Sequence, residues 1–254
     1  MSPDQLVQCS VDRGVARIAL DSPRNRNALS AALVGQLTQA LADAASDDAV
    51  RVVELTHTGS TFCAGADLSE ASQGGMAAGA ERLSSLLRRI LALPKPVVGS
   101  IDGHVRAGGL GLVGACDIVL AGPQSTFAFT EVRLGLTAAV ISLTTLPRMA
   151  PRAASRYLLT GEIFDAATAA SIGLVTEAVA DIDAGTMAVL DALRTASPQG
   201  LRETKQLLTP AVLAGFDAKA RDMAELSARL FGSAEAAEGM AAFLEKRRPA
   251  WAAE

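Results

Sequence analysis

The first candidate for chemistry is the glycine-rich stretch RAGGLGLVGACD at residues 106–117. Gly109, Gly111 and Gly114 form the pattern G-x-G-x-x-G, which in a dinucleotide-binding turn holds a pyrophosphate at a helix N-terminus. That motif needs a tight turn directly after a strand, but the residues DGHVRA separate the predicted strand from the glycines. The next acidic residues also come too early or in the wrong place to bind a ribose. The pattern therefore argues against a nicotinamide or flavin cofactor.

The same glycines are compatible with a different chemistry. Glycines at a helix start expose backbone N–H groups, which carry the partial positive charge of the helix N-terminus. A second loop of small residues, Cys63-Ala64-Gly65-Ala66, offers further backbone donors. Two such donors would form an oxyanion hole, in which removing one donor costs about 10²–10³ in rate. From the spacing alone, the simpler interpretation is that these glycines only allow close packing.

The elements that must position these loops follow an α/β pattern. Alternating apolar residues on either side of Asp12-Arg13-Gly14 predict a β-hairpin, and Ser30 is a candidate N-cap for the following helix. Residues 56–80 show no regular spacing of apolar residues and are predicted to form a long loop. Loops of this length are uncommon without a function. From about Ser142 helical patterns dominate. Short apolar runs predict further strands at 51–56, 95–101 and 117–122, with a helix at 82–93 between the first two.

Composition and charge exclude several classes of protein. The chain has 254 residues, of which 50% are hydrophobic and 20% charged, as expected for a globular protein with a large core. A net charge of −4 without a basic run argues against nucleic acid or an anionic membrane as partner. The cysteines are widely spaced and odd in number, which predicts reduced thiols. The N-terminal MSPDQLVQCS lacks the pattern of a signal peptide, so a cytoplasmic location is predicted.

The remaining polar residues give no second catalytic pattern. Ser100, Asp102 and His104 carry the side chains of a hydrolytic triad, but they lie two apart on a predicted strand end. The G-x-S-x-G motif of serine hydrolases does not occur. His57 and His104 have no metal-ligand spacing to a cysteine or carboxylate, so no metal site is predicted.

Five blocks of the sequence stand out, in order along nearly the whole chain: TFCAGADL (61–68), KPVVGSIDGHVRAGGLGLVGACDIVLA (95–121), TFAFTEVRLGL (126–136), LTGEIFDAATAASIGLVTEAV (159–179) and FLEKRRPAW (243–251). They resemble the signature blocks of the enoyl-CoA hydratase/isomerase (crotonase) superfamily. Within that superfamily the sequence looks most similar to hydratases of the methylglutaconyl-CoA type.

The resemblance implies an α/β crotonase fold, a spiral of ββα units followed by a C-terminal helical region. Residues 1–195 would form the spiral core that binds acyl-CoA and carries catalysis. Residues 196–254 would form the helical region that covers the pocket and builds a homotrimer, or a hexamer of two trimers. The implied ligand is an acyl-coenzyme A thioester, whose enolate is stabilised by the backbone amides of Ala66 and Gly108. No separate cofactor is implied.

The number of glutamates available for proton transfer limits which reaction of the family is expected. Hydratases of the best-known type carry one glutamate just after the glycine run and a second in the F-x-x-x-E block. Here the second is Glu131, whereas Gly111 occupies the first position. Two carboxylates divide proton removal and delivery easily, so a lone Glu131 must do both. We therefore expect an enoyl-CoA hydratase with one general acid/base. The alternatives are an enoyl-CoA isomerase that uses Glu131 and a non-catalytic acyl-CoA-binding protein.

The resemblance also implies a set of substrate contacts. Arg106 and Arg133 are candidates to bind a second carboxylate on the acyl group, because arginine binds a carboxylate through two parallel hydrogen bonds. The acyl pocket would be built from loop residues 69–80 and the C-terminal helices. The other implied contacts are the Ala64 carbonyl with adenine, Arg26 with the phosphates, and Phe243 and Lys246 with the adenine and 3′-phosphate of a neighbouring subunit's coenzyme A. Further substrate or coenzyme A contacts are implied at Asp67, Leu68 and Gly111.

Overall fold

The structure is a computed structural model that describes residues 5–73 and 75–252. Its strands form two sheets. In chain order the strands are β1 (Val7–Asp12), β2 (Val15–Leu20), β3 (Val52–His57), β4 (Thr61–Cys63), β5 (Val97–Ile101), β6 (His104–Arg106), β7 (Ile118–Ala121), β8 (Thr126–Ala128), β9 (Phe164–Asp165) and β10 (Glu177–Ala178).

The larger sheet has the order β1-β2-β3-β5-β7-β10, and every pair except β1 with β2 is parallel. The hairpin prediction is confirmed, since β1 pairs antiparallel with β2 from Val7 opposite Leu20 to Asp12 opposite Val15. β5 is buried along its whole length, and only His57 of β3 is partly exposed. Parallel strands covered on both faces need such continuous apolar runs.

Helices cover the sheets and fill the C-terminal part. Ser30 caps the first helix as predicted, because its Oγ accepts a hydrogen bond from the Leu33 amide at 3.2 Å. The helices are α1 (Ala31–Ser46), α2 (Gly75–Ala92), α3 (Gly108–Ala115), α4 (Ala139–Thr145), α5 (Pro151–Thr160), α6 (Ala166–Ser171), α7 (Ile182–Thr195), α8 (Pro198–Leu208), α9 (Pro210–Phe231) and α10 (Ala234–Leu244).

The predicted long loop at 56–80 contains more structure than its pattern indicated. β4 lies within it, a 3₁₀ helix follows at Leu68–Gln73, and α2 begins at Gly75 rather than at residue 82. The DGHVRA segment likewise contains β6. Both strands were missed because each is only three residues long and is stabilised by a partner about 40 residues away.

The smaller sheet, in the order β4-β6-β8-β9, lies beside the glycine-rich segments. β4, β6 and β8 are parallel, so their carboxyl ends meet at one edge. α9 packs against α2 and α4 and brings the C-terminal helices to the same region. The division between residues 195 and 196 falls in the connection from α7 to α8, and two separate domains stay a prediction. Within the described ranges, no helix is both long and apolar enough to span a bilayer.

Candidate active site

A cavity of about 430 Å³ lies at the carboxyl ends of β4, β6 and β8. This volume is in the range of pockets that bind small organic ligands. Its wall is mainly aliphatic, with contributions from α2, α4 and α9. The site residues from the sequence that line it are Arg26, Ala64, Ala66, Asp67, Leu68, Arg106, Gly108, Glu131, Arg133 and Phe243.

Two predicted site residues do not line this cavity. Gly111 is fully buried in α3, behind the cavity wall. Lys246 is exposed after the end of α10. Phe243 lines the cavity of its own chain and keeps 59% of its surface exposed, although it was predicted to reach a neighbouring subunit's ligand. Of the predicted pocket loop, Glu70, Gly75, Gly79 and Ala80 contribute, whereas residue 74 lies outside the described residues.

The loops after β4 and β6 meet directly. The Leu29 amide donates to the Gly65 carbonyl at 2.8 Å and holds the first loop in place. Gly65 has a φ of +96°, and an added Cβ would lie 2.8 Å from Ala107 Cβ and 3.5 Å from the Gly108 nitrogen. A side chain at position 65 would therefore force the loops apart.

The amides of Ala66 and Gly108 are free at this junction. Gly108 is the first residue of α3, where helical N–H groups have no partner within the helix. Within residues 5–73 and 75–252, neither amide donates a hydrogen bond to the protein. Both residues line the cavity. The two donors can therefore serve a ligand oxygen.

The backbone before Gly108 is strained. Ala107 has φ 45° and ψ −119°, a conformation that residues with a side chain rarely adopt and that costs about 1–3 kcal/mol. This residue turns the chain from β6 into α3 within one position. Such strain occurs at ligand sites, where the surrounding structure holds the backbone. Sequence reasoning missed Ala107, because alanine carries no signal for a left-handed conformation.

Glu131 reaches the same cavity from the third parallel strand. It lies three residues after the end of β8, in a 3₁₀ helix at Thr130–Leu134. Its Oε2 is shielded from solvent and has no hydrogen-bond partner in the described chain. Burial raises the pKa of Glu131 from 4.5 to about 7, and a hydrogen bond from its own backbone opposes this. A carboxyl group with this pKa can accept and donate a proton near neutral pH.

The other carboxylates of the cavity wall are already hydrogen-bonded. Asp67 accepts from Asn25 Nδ2 at 3.3 Å and from the Ser69 hydroxyl at 2.7 Å. Glu70 accepts from the Ala31 amide at 2.8 Å and pairs with Arg82 at 3.4 Å. Among the described residues of the wall, Glu131 is thus the carboxylate with an unpartnered oxygen.

Three arginines of the cavity wall form no ion pair among the described residues, and two of them, Arg106 and Arg133, are the ones predicted to bind a carboxylate. Arg106 donates from Nη1 to the Thr126 carbonyl at 2.7 Å and to the Val105 carbonyl at 2.8 Å, and burial lowers its pKa. Arg133 donates from Nε to the Thr160 carbonyl at 3.3 Å. Both guanidinium groups therefore keep donors for an anionic ligand.

The candidates for other chemistries lie apart from this cavity. The Ser100 hydroxyl is buried against the Thr186 hydroxyl at 2.8 Å. His57 Nε2 accepts from the Asp102 amide at 3.2 Å, and His104 Nδ1 contacts Thr126 Oγ1 at 2.8 Å. The three residues of the hypothetical triad thus bond elsewhere. Among the described residues, no three His, Cys, Asp or Glu side chains cluster as metal ligands would.

Similarity to known proteins identifies the family of this chain. The profile of the enoyl-CoA hydratase/isomerase family matches residues 10–254. The chain belongs to the enoyl-CoA hydratase/isomerase family. A crystal structure of an enoyl-CoA hydratase from Mycobacterium avium is 54% identical, with a TM-score of 0.93 over 99% of this chain and 100% of that chain. The predicted α/β crotonase fold is therefore confirmed.

Two relatives from other organisms cover almost the same span. The 2,3-dehydroadipyl-CoA hydratase of Escherichia coli is 31% identical over 92% of this chain and 94% of its own length. The bovine mitochondrial enoyl-CoA hydratase domain-containing protein 2 is 32% identical over 96% of this chain and 86% of its own length. This member of the enoyl-CoA hydratase/isomerase family thus matches its relatives along both the sheets and the C-terminal helices.

Proposed function

We propose that this protein is an acyl-CoA enzyme that adds water to an enoyl-CoA thioester, or removes it, with Glu131 as the one general acid/base. The observation that carries the proposal is the Glu131 carboxyl, with its solvent-shielded and unpartnered Oε2, in the cavity that the free Ala66 and Gly108 amides also line. Family membership and relatives named as hydratases support the same activity.

In the proposed hydration, the thioester oxygen accepts hydrogen bonds from the Ala66 and Gly108 amides. Water adds through its oxygen to the β-carbon while Glu131 takes one of its protons, and the electron pair of the double bond moves into the thioester as an enolate. Protonated Glu131 then delivers that proton to the α-carbon, which restores the carboxylate. The two amides stabilise the charge that develops on the oxygen, the main electrostatic contribution in such sites.

Isomerisation is the second candidate function. It is favoured by the single free carboxylate, because moving a double bond needs no activated water. Glu131 would take a proton from the α-carbon of a 3-enoyl-CoA and return it to the γ-carbon of the resulting dienolate. The third possibility, a non-catalytic acyl-CoA-binding protein, does not explain a buried carboxyl with a raised pKa.

A panel of thioesters tests these functions. Straight-chain, branched and carboxylated 2-enoyl-CoAs are assayed for hydration, and 3-enoyl-CoAs are assayed for isomerisation. We expect hydration of at least one member. A carboxylated acyl group is a specific candidate, because the hydrogen bonds of Arg106 and Arg133 go to carbonyl and hydroxyl oxygens and a relative is named for a dehydroadipyl thioester. Isomerisation alone would select the second function, and no turnover with any thioester would exclude both.

Activity should depend on pH through Glu131. Either reaction begins with the ionised carboxylate as base. We therefore expect kcat/KM to be low at pH values below an apparent pKa near 7 and to reach its full value above it. The measurement is kcat/KM for a thioester that the enzyme turns over, followed from about pH 4 to about pH 9. An apparent pKa close to the ordinary 4.5 would show that burial does not control this carboxyl.

The predicted homotrimer or hexamer is part of the proposal. Large apolar side chains stand exposed on the C-terminal helices, including Leu207 at 81%, Leu208 at 73% and Leu244 at 66%. Exposed apolar surface of this kind is typical of a face that a protein partner covers. The cytoplasmic location also stays a prediction.

A further inference from the structure

The last helix, α10, packs directly on the 3₁₀ helix that carries Glu131. One contact lies at Gly239, which is buried at this junction. An added Cβ at position 239 would lie 2.6 Å from the Leu134 carbonyl oxygen and 2.7 Å from Leu134 Cα. Only glycine therefore lets the two backbones approach this closely. The contact joins segments that are far apart in the sequence.

A second glycine makes the same contact from the opposite side. Gly135 ends the 3₁₀ helix with a φ of +69°, and an added Cβ would lie 2.7 Å from the Glu235 carbonyl carbon and 2.9 Å from the Ala236 nitrogen. Glu235 and Ala236 lie about one helical turn before Gly239 in α10. The two backbones thus touch at two successive turns of α10, which fixes the 3₁₀ helix in both position and direction.

Hydrogen bonds connect this contact to Glu131. The Glu131 carbonyl oxygen accepts one hydrogen bond from the Gly135 amide and another from the Leu136 amide, the second at 3.0 Å. Because these bonds join the end of the short 3₁₀ helix to Glu131, a displacement at Leu134 and Gly135 also displaces the Glu131 backbone. The position of α10 therefore affects the position of the Glu131 carboxyl.

The pKa of Glu131 reports how well the surrounding wall excludes water. The charged side chains that line the same cavity are Arg26, Asp67, Glu70, Arg82, Arg106 and Arg133. Burial, rather than any of these charges, raises the pKa of Glu131. α10 belongs to the wall, because its residue Phe243 lines the cavity one turn after Gly239. A displaced α10 would therefore admit water and lower this pKa.

We propose that Gly239 is a positioning residue: by letting α10 touch the backbone of the 3₁₀ helix, it sets where the Glu131 carboxyl lies relative to the two free amides. A Cβ at position 239 would have to move by about 1 Å to reach an ordinary van der Waals distance. An offset of about 1 Å in a reacting group can cost about 10²-fold in rate. The inference rests on the proposed function and deepens it, because turnover then requires a docked C-terminal helix.

Gly239→Ala tests the inference through kcat and through the pKa of Glu131. We expect kcat to fall by about tenfold to 10²-fold. The apparent pKa of kcat/KM should fall by about one unit or more from its value near 7, because water reaches the carboxyl. A pH titration of the infrared band of protonated carboxyl groups measures the same pKa without turnover. The contribution of Glu131 to that band is the part that Glu131→Gln removes.

Two control variants separate positioning from stability. Gly215→Ala makes the same change in α9, at an exposed position where an added Cβ meets no neighbouring described atom within 4 Å. It should leave kcat within about twofold and the pKa of Glu131 unchanged. Ser233→Ala removes the N-cap of α10, whose Oγ accepts from the Ala236 amide at 3.1 Å, without adding an atom to the contact. It should lower Tm by about 2–4 °C at most and also leave the pKa unchanged.

Two outcomes would overturn the inference. In one, Gly239→Ala has a lower Tm but keeps the kcat and the Glu131 pKa of the wild type, which would show that the contact contributes stability alone. In the other, Ser233→Ala lowers the pKa as much as Gly239→Ala does. If the wild type turns over no thioester, the proposed function fails, whereas the infrared titration still decides whether Gly239 positions Glu131.

A measurement on the wild type covers the case in which Gly239→Ala does not fold. Amide hydrogen exchange is followed by mass spectrometry at increasing urea concentrations. We expect residues 130–136 and 234–244 to lose their protection at the same urea concentration, because each segment holds the other in place. Exchange of residues 234–244 while residues 130–136 stay protected would contradict the inference.

Discussion

Replacing Glu131 by glutamine is expected to lower kcat by about 10²–10⁴-fold for whichever thioester the enzyme turns over. Glutamine keeps the shape of the side chain but cannot accept the proton that either reaction must move. Acyl-CoA should still bind, because the Ala66 and Gly108 amides and the rest of the cavity wall are unchanged. Steady-state kinetics and calorimetric binding of the thioester give the two readouts.

The matched control for Glu131→Gln is Glu81→Gln on the exposed face of α2, which should leave kcat within about twofold. Stability supplies an independent check. The pKa of Glu131 is raised in the folded protein, so the folded state favours the protonated carboxyl. The contribution of this group to the free energy of unfolding is full below about pH 4.5 and is lost as pH rises through 7. Glu131→Gln should therefore have a Tm at pH 8 equal to or above that of the wild type. Retention of more than a tenth of the activity would reject Glu131 as the acid/base.

Replacing Lys205 by methionine should destabilise the protein by about 3–5 kcal/mol. Lys205 lies in α8 and is only 5% exposed. Its Nζ contacts Asp117 Oδ2 at 2.7 Å and donates to the carbonyls of Ile90 at 3.0 Å and Lys95 at 3.1 Å. Methionine fills a similar volume but leaves the Asp117 charge and both carbonyls without their partner. Urea denaturation followed by circular dichroism measures the loss.

Two further variants show whether the loss of stability in Lys205→Met comes from breaking the ion pair with Asp117. Lys219→Met removes an exposed lysine from α9 and should change stability by no more than about 0.5 kcal/mol. Lys205→Met combined with Asp117→Asn removes both charges, so it should be more stable than Lys205→Met alone. Asparagine can still accept the hydrogen bond that the Val97 amide donates to residue 117. A cost below about 1 kcal/mol for Lys205→Met would show that this buried pair contributes little.

Prediction from the sequence succeeded where the signal was local. The β1–β2 hairpin has its turn residues between two alternating runs, and the Ser30 cap needs only the amide three residues later. Prediction failed for β4 and β6, which are three residues each and pair with one another across about 40 residues. It also placed Gly111 among the ligand contacts, although the packing of Ile141 against it keeps position 111 behind the cavity wall.

The amino-acid sequence by itself determined the family, the glycine loops and Glu131 as the candidate acid/base, because these depend on residue types in a fixed order. The tertiary structure alone decided that Glu131 has a raised pKa, that Ile141 fills the space beside Gly111, and that Lys205 neutralises Asp117. Each of these depends on groups far apart in the chain that folding brings within about 3 Å or removes from water. Desolvation and close packing act through space, and no local pattern of residues records them.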